Sequence, residues 1–217
     1  MNSKAKQRVS PSVIRRLPKY RRCLLELQSR GIQRISSKEL SRITGFTASQ
    51  IRQDLNNFGG FGQQGYGYNV EELFKEVGGI LGLDKEYNVV LIGFGNLGQA
   101  VANYLQNKIG FNLCAIFDIN PNLIGTELCG VKVRDAKEIK DFLKINNADI
   151  GIITTDKGSA QSTADLLCSG GVNGIWNFAP LDLVVPSSVV LENVHLSDSL
   201  YTLAYYINNQ NQQNKPE

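Results

Sequence analysis

The sequence predicts an α/β protein with an N-terminal winged helix-turn-helix, a doubly wound parallel sheet and a C-terminal helix. Three observations predict this fold class. Basic residues are concentrated in the first 57 positions, short helices with capping signals fill the same region, and strand and helix patterns alternate from about residue 85 onwards. We therefore expect three regions with the bounds 1–84, 85–195 and 196–217.

Charge is divided unevenly along the 217 residues. Residues 1–57 hold thirteen Lys or Arg and three acidic residues, whereas residues 58–217 hold ten basic and seventeen acidic residues. Two parts of opposite sign indicate two modules with different partners, and a basic module attracts a polyanion such as DNA. A merely solvated basic helix would show the same composition.

Cysteine and histidine usage indicates neither a zinc site nor a secreted protein. His195 is the single histidine, and the four cysteines form no CxxC pair, so we expect buried thiols and no bound metal. No run of eighteen apolar residues occurs, which favours a cytoplasmic protein without a membrane span. The four cysteines are Cys23, Cys114, Cys129 and Cys168.

The first predicted helix covers residues 11–29. Apolar residues recur there at helical spacing, and Gly31 follows the last of them. Pro18 either kinks this helix or marks its true start. The helix supplies an apolar face against which the following short helices can pack.

Two short helices follow, each with its own start signal. Ser36 and Glu39 have the spacing of a capping box, and Gly45 ends that helix. Thr47 is the predicted N-cap of the next helix, and Gly59 is its predicted stop. Two short helices joined by a tight turn form either a helix-turn-helix or an ordinary helical hairpin.

The stretch GGFGQQGYGY after these helices predicts a tight hairpin wing. With the basic charge, the wing favours a helix-turn-helix whose last helix enters the major groove of DNA. We expect Arg52 and Gln53 to contact bases or phosphates, with Asp54 and Asn56 further round the helix. The predicted DNA-binding residues are Ser36, Ser37, Thr47, Ser49, Arg52, Gln53, Gly62 and Gln64.

The stretch VVLIGFGNLG has the spacing of a dinucleotide-binding loop. A strand pattern precedes its glycines and a helix pattern follows them, as required for a pyrophosphate at a helix N-terminus. A second strand ends in Asp118, whose carboxylate can hold both ribose hydroxyls and repel a 2′-phosphate. NAD(H) is therefore favoured over NADP(H). The predicted loop contacts are Gly93, Phe94, Gly95, Asn96, Leu97 and Gly98.

Strands and helices continue to alternate through GVKVRD, AKEIKDFLKIN, ADIGIITT, SAQSTADLLCSGG and GIWNFAP, which predicts a doubly wound parallel Rossmann sheet. Thr154, Thr155, Asn177 and Phe178 fall at carboxyl ends of strands, where such sheets bind ligands, although polar residues are also common at loop edges. The last pattern is an amphipathic helix, followed by a polar tail from Gln210 that we expect to be disordered. Its apolar stripe consists of Leu200, Leu203, Ala204 and Ile207.

Residues for hydride transfer to a substrate are missing from the sequence pattern. Such chemistry needs a positioned acid or base, yet the chain has neither a helical His-Asp pair nor a Ser-Tyr-Lys run. We therefore expect the loop to sense its cofactor and not to use it in catalysis. A dehydrogenase with an appended module, and a DNA-binding regulator of CoA or another nucleotide, remain the alternatives.

The motifs RRLPKY, SSKEL, IRQDL, FGGFGQQGYGY, GFGNLG, FDINP and NFAPLDLVVP occur in this order along nearly the whole chain. In this they resemble the Rex family of redox-sensing transcriptional repressors. The resemblance implies a homodimer with a winged-helix domain, a Rossmann domain that binds NADH or NAD+, and a C-terminal helix exchanged between subunits. It further implies a repressor that holds a palindromic, AT-rich operator at low NADH and releases it at high NADH.

The sequence departs from the family pattern in the DNA-binding module. The family commonly has lysine after the recognition arginine, where this chain has Gln53, and an arginine in the wing, where it has Gln63 and Gln64. Glutamine pairs with adenine through a donor and an acceptor. We hypothesise a preference for an A·T pair at the position where relatives that carry lysine contact G·C.

A second departure concerns the proposed switch. Some members of the family couple an arginine of the first helix, a tyrosine of the helix after the glycine loop, and an acid near the C-terminal helix. Arg22 and Tyr104 match the first two, and Tyr104 is also a candidate for contact with the nicotinamide ring. His195 occupies the position of the acid, with Asp198 three residues later. His195 is either a protonatable substitute or a structural histidine.

Overall fold

The computed structural model describes residues 9–59, 61–63 and 66–213. The chain divides into two compact units between Lys85 and Glu86, and each unit has a hydrophobic core of its own. In the described part of the chain, no helix combines the length and the apolar character that crossing a membrane requires.

In its described residues, the first unit has four helices and a small three-stranded sheet. The first helix is continuous through Pro18, which therefore does not mark its start. The elements are α1 (Pro11–Ser29), β1 (Arg34–Ile35), α2 (Ser37–Thr44), α3 (Ala48–Asn56), β2 (Gly62–Gln63), β3 (Gly67–Asn69) and α4 (Val70–Ile80).

Local capping sets the bounds of α2 and α3. Ser36 and Glu39 form the reciprocal capping box before α2, and Gly45 ends that helix in the left-handed conformation. The Thr47 side chain accepts a hydrogen bond from Gln50 N at 3.1 Å, which starts α3. The helix ends at Asn56 with Asn57 as its C-cap, two residues before the predicted stop at Gly59.

The three strands of this unit form an antiparallel sheet in the order β1-β3-β2. β2 and β3 are the two arms of the predicted wing hairpin. A Cβ atom on Gly67 would lie 2.6 Å from the carbonyl oxygen of Ile35, so the pairing of β1 with β3 requires glycine there. Gln64 lies outside the described residues, and the bounds of β2 concern its backbone alone.

The second unit is a seven-stranded sheet covered by helices. Its elements are β4 (Tyr87–Ile92), α5 (Asn96–Gln106), β5 (Phe111–Asp118), β6 (Glu127–Leu128), β7 (Val131–Asp135), a 3-10 turn (Ala136–Glu138), α6 (Ile139–Ile145), β8 (Ile150–Ile153), α7 (Lys157–Ser169), β9 (Gly174–Asn177), β10 (Val190–Asn193) and α8 (Leu196–Gln213).

The strand order is β10-β9-β8-β4-β5-β7-β6. The chain adds β5 and β7 on one side of β4 and then β8, β9 and β10 on the other. The position between β8 and β4 is therefore the switch point at which doubly wound sheets bind ligands. Two features correct the predicted sheet. β6 pairs with β7 in the antiparallel sense, and β10 adds a parallel edge strand beside β9 that the sequence pattern did not reveal.

Alternate residues of β4 enter two separate cores. Val90 and Ile92 pack in the cluster that includes Leu167 of α7, whereas Val89 and Leu91 pack in the cluster on the side of α5. Both faces of this strand are buried, as expected for a central parallel strand.

The C-terminal helix α8 runs through Gln213. The expected disordered tail from Gln210 is therefore helical over its first four residues, which corrects that prediction. The apolar stripe is exposed in the single chain, with Leu200, Leu203 and Ile207 each more than half accessible to solvent. An exposed apolar helix face of this kind is typical of a surface that binds another protein.

Candidate functional site

The loop between β4 and α5 brings the backbone into close contact at two glycines. Gly93 has a φ of +95°, which L side chains rarely adopt. A Cβ atom there would lie 2.9 Å from the carbonyl group of Thr154. A Cβ atom on Gly98 would lie 2.0 Å from the carbonyl oxygen of Gly93. Gly93 requires glycine because of its backbone conformation and the close Thr154 backbone that follows β8, and Gly98 requires it because α5 packs directly against the end of β4.

Gly95 is the N-cap of α5 and has open space beside it. No described atom lies within 4 Å of a Cβ atom built there, which suits a backbone that a pyrophosphate approaches closely. Among the described side chains none caps this helix. The N–H groups of its first turn, which begins with Asn96 and Leu97, are therefore available to an anion.

Asp118 is buried and its carboxylate is held in one orientation. One oxygen accepts a hydrogen bond from the backbone N–H of Phe94 at 2.5 Å, and the other accepts one from the N–H of Asn120 at 2.7 Å. Each carboxylate oxygen can accept a further bond, so both remain able to bind ribose hydroxyls. The Phe94 side chain is buried in the core, and this residue contributes to the site through its backbone.

A cavity of about 610 Å³ lies at the carboxyl ends of the strands, within the range for small-molecule sites. Five of the predicted cofactor residues line it: Gly93, Gly95, Asp118, Thr154 and Thr155. The hydroxyl of Thr154 donates to the carbonyl oxygen of Gly93 at 2.6 Å, which fixes the glycine loop against β8. The cavity therefore extends from the N-terminus of α5 to the carboxylate of Asp118, the two groups expected to bind a dinucleotide.

Of the predicted cofactor residues outside the glycine loop, three do not line this cavity. Asn177 is fully buried, and its amide donates to the carbonyl oxygen of Leu181 at 2.7 Å and to Asn193 at 2.8 Å. Phe178 packs against Trp176 with the ring centres 4.6 Å apart. Tyr104 lines a separate apolar hollow of about 330 Å³. Their proposed contacts with the cofactor find no support in the geometry of one chain.

The sequence pattern missed one wall of the cavity, which α7 forms. Asp156 caps this helix by accepting bonds from Gly158 N and Ser159 N. A polar N-cap immediately after a strand that ends at the ligand edge is a recognisable signal. The cavity residues that were not predicted include Ile119, Asp156, Ser159, Ser162 and Thr163.

In the first unit, Arg52 lies exposed on α3 and is held by two hydroxyls. Its guanidinium donates to Ser37 Oγ at 2.9 Å and to Ser49 Oγ at 3.0 Å. These bonds restrict the arginine side chain before DNA arrives. Gln53 is exposed beside it and free to reach a base edge.

Two of the remaining predicted DNA contacts, Ser36 and Thr47, lie at helix N-termini. Ser36 and Thr47 have their hydroxyl groups engaged in capping α2 and α3. Their contribution to DNA binding would therefore be to present the first-turn N–H groups to phosphates. The backbone of Gly62 lies in the wing strand β2.

Asp54 is not on the polar face of α3 but inside the unit. Its side chain accepts two hydrogen bonds from the Arg16 guanidinium, at 2.6 and 2.7 Å, and a third from the Tyr20 hydroxyl at 2.6 Å. Burial and the hydrogen bond to Asp54 raise the pKa of Tyr20 well above its usual range. Arg16 therefore holds α3 against α1. In the sequence it is one of the basic residues expected to attract DNA.

The four switch candidates lie in different elements, Arg22 in the first unit and Tyr104, His195 and Asp198 in the second. Arg22 is exposed on α1. His195 Nε2 lies 2.9 Å from Asp182 Oδ1, and this contact raises the pKa of the imidazole. Asp198 lies in the first turn of α8, and its own backbone N–H donates to the His195 carbonyl oxygen at 3.1 Å. His195 thus has a carboxylate partner that the sequence pattern did not identify.

Comparison with known proteins gives a family match in each of the two units. A family model described as "Putative DNA-binding protein N-terminus" matches residues 8–56, and one described as "CoA binding domain" matches residues 84–181. The chain is 61% identical over 201 residues to the redox-sensing transcriptional repressor Rex of Caldanaerobacter subterraneus subsp. tengcongensis, covering 92% of this chain and 90% of that protein.

Two similar crystal structures extend this result. The structure of RSP, a Rex-family repressor, matches with a TM-score of 0.90 and 56% identity, covering 97% of this chain and 100% of the other. That of RSP in complex with beta-NAD+ and operator DNA matches with a TM-score of 0.88 and 58% identity, covering 95% of each chain. This chain belongs to the Rex family of redox-sensing transcriptional repressors.

Proposed function

We propose that this protein represses transcription by binding a palindromic, AT-rich operator as a homodimer and that NADH releases it. One observation carries the proposal. The same chain has an exposed arginine, Arg52, whose side chain is oriented by two hydroxyl groups, and a cavity at the glycine loop in which the Asp118 carboxylate has a fixed orientation. The first site suits DNA and the second suits a dinucleotide. A protein with these two ligands acts in the cytoplasm.

The cavity supports NAD(H) as the ligand in that site. Asp118 can accept both adenosine ribose hydroxyls and would repel a 2′-phosphate. The similar repressor RSP has been crystallised in complex with beta-NADH, and it is 56% identical to this chain. When bound, the dinucleotide supplies a nicotinamide ring that carries a positive charge only in the oxidised form.

Dimer formation follows from the geometry of operator binding. Two recognition helices must meet half-sites about one helical turn apart, so that a modest rotation between subunits abolishes simultaneous contact. The exposed apolar stripe of α8 supports its exchange between subunits, since such a face is stabilised by burial. Under this proposal, the released arrangement of the dimer no longer matches the operator spacing.

NADH can release DNA only by binding the released arrangement more tightly than the DNA-competent one. A nearly complete switch needs roughly 5 kcal/mol of difference between the two affinities. Tight binding that is equal in both arrangements would have no effect. The proposed role of the cavity is therefore selective binding, with no chemical step on the cofactor.

The decisive experiment is fluorescence anisotropy with a palindromic AT-rich operator probe at fixed salt. We expect NADH to release the probe and NAD+ to have little effect. CoA is added separately, because a response to CoA alone would support a regulator of that ligand. Indifference of the DNA complex to both NAD forms, with turnover of NADH on small carbonyl substrates, would instead support a dehydrogenase.

Gln53 is expected to determine which base pair is preferred at one position of the operator. Two operators that differ only by A·T or G·C at the contacted pair are compared in the same assay. The wild type prefers A·T by about 1–3 kcal/mol, the usual value of a bidentate base contact, and Gln53→Lys shifts the preference towards G·C. Equal affinity of the wild type for both operators would contradict this assignment.

A further inference from the structure

Helix α7 contacts the cofactor cavity on one face and a loop on another. Ser159, Ser162 and Thr163 line the cavity. Gln161 lies between them in sequence, yet its side chain reaches Val184, in the loop that joins β9 to β10. One helix therefore forms both the cavity wall and the support for this loop.

The contact between Gln161 and Val184 uses both ends of the carboxamide. Its Nε2 donates to the carbonyl oxygen of Val184 at 2.8 Å, and its Oε1 accepts from the Val184 N–H at 3.0 Å. Both distances are those of normal hydrogen bonds. Two parallel bonds fix the orientation of the peptide group as well as its distance, so that a shift of α7 would carry Val184 with it.

The Gln161 side chain makes a further hydrogen bond within the helix. Its Nε2 also donates to Asp165 Oδ1, one turn further along α7, at 2.9 Å. The Val184 side chain is exposed. The backbone pairing to Gln161, and not burial of this side chain, therefore holds the loop at this point.

The same loop is also attached to the start of α8. Asp182 lies 2.9 Å from His195 Nε2, and His195 immediately precedes Leu196, the first residue of α8. Leu183 is buried in the core on the side of α7. The short stretch 182–184 therefore contacts both the helix of the cavity wall and the residue before α8.

We propose that Gln161 is a positioning residue that transmits occupancy of the cofactor cavity to the start of α8. The inference rests on the proposed function, since it assigns a route for release by NADH. Binding at the Ser159 side of α7 shifts the helix. The hydrogen bonds between Gln161 and Val184 then move residues 182–184, and this changes the contact between Asp182 and His195. Gln161 itself is not among the residues that line the cavity.

The test compares Gln161→Met with the wild type. Methionine is similar in length and removes both bonds to Val184. We expect unchanged Kd values for NADH and for the operator alone. For a nearly complete switch of about 5 kcal/mol, NADH is expected to weaken operator binding by the wild type by more than roughly a thousandfold, and the variant is expected to lose most of that factor. A role limited to stability would lower the melting temperature and leave the factor unchanged.

Asp165→Ala is the matched control, because it removes the bond within α7 and leaves the pairing with Val184. It should retain the full effect of NADH. Full release of Gln161→Met by NADH would overturn the inference while leaving the proposed function intact. A wild type that NADH does not release from the operator would overturn both.

Hydrogen exchange of the wild type gives a result that does not depend on how the variant folds. NADH should change exchange at the amides of Asp182, Leu183 and Val184. An unchanged rate at these amides, in a protein whose operator binding does respond to NADH, would contradict transmission through this loop.

Discussion

Asp54→Ala is expected to destabilise the first unit by about 3–5 kcal/mol, the usual cost of removing one partner of a buried ion pair. The Asp54 side chain is 3% exposed and that of Arg16 is 17% exposed. The change leaves the arginine charge without its carboxylate, and the Tyr20 hydroxyl loses its acceptor. A loss of this size is a large part of the stability of a small domain.

Urea unfolding measures this loss, and hydrogen exchange in peptides from α1 and α3 assigns it to the first unit. Operator affinity should fall with it, since Asp54 belongs to the same helix as Arg52. Glu26→Ala is the matched control. It removes an ion pair with Arg30 whose two side chains are more than half exposed, so it should cost no more than about 1 kcal/mol. Equal losses in the two variants would refute the structural role of Asp54.

The Asp54 pair illustrates what a local pattern cannot contain. Helix periodicity and caps depend on residues three or four positions apart, so the bounds of α1 and the starts of α2 and α3 could be predicted. Arg16 and Asp54 are 38 positions apart, and by composition each is an ordinary exposed charge. Only the packing of α3 on α1 brings them together.

The cofactor site divides along the same line. The glycine loop and Asp118 could be predicted because one short strand-turn-helix unit positions them. Asn177 was placed at the ligand edge by its position at the end of β9, but the chain turns there and buries its amide. The α7 wall was missed because Ser159, Ser162 and Thr163 look like an ordinary polar helix face.

Edge strand β10 was missed for a related reason. Its burial alternates between exposed and half-buried residues, and it contains Glu192 and Asn193. Short polar strands have little pattern of their own, and pairing with β9 determines their structure. The loop before it, which carries Val184, could be located only once β10 was known.

Gly98→Ala is expected to weaken the response to NADH while operator binding persists. The new Cβ atom would lie 2.0 Å from the Gly93 carbonyl oxygen and 3.0 Å from Thr154 Oγ1, so α5 must move away from β4. Overpacking of this kind costs about 1–3 kcal/mol. If this free-energy cost is paid only in the conformation that binds NADH, the Kd for NADH rises roughly 5- to 150-fold. Titration of NADH fluorescence measures that change.

Two further glycine variants separate strain in the fold from contact with the ligand. Gly95→Ala should leave the melting temperature unchanged, because no described atom lies within 4 Å of the added Cβ, but it should weaken NADH binding if the pyrophosphate occupies that space. Gly79→Ala, in α4 with equally open surroundings, should leave NADH binding unaltered. A wild-type Kd in Gly98→Ala would show that the contact between α5 and β4 does not position the cofactor. A wild-type Kd in Gly95→Ala alone would move the pyrophosphate away from the start of α5.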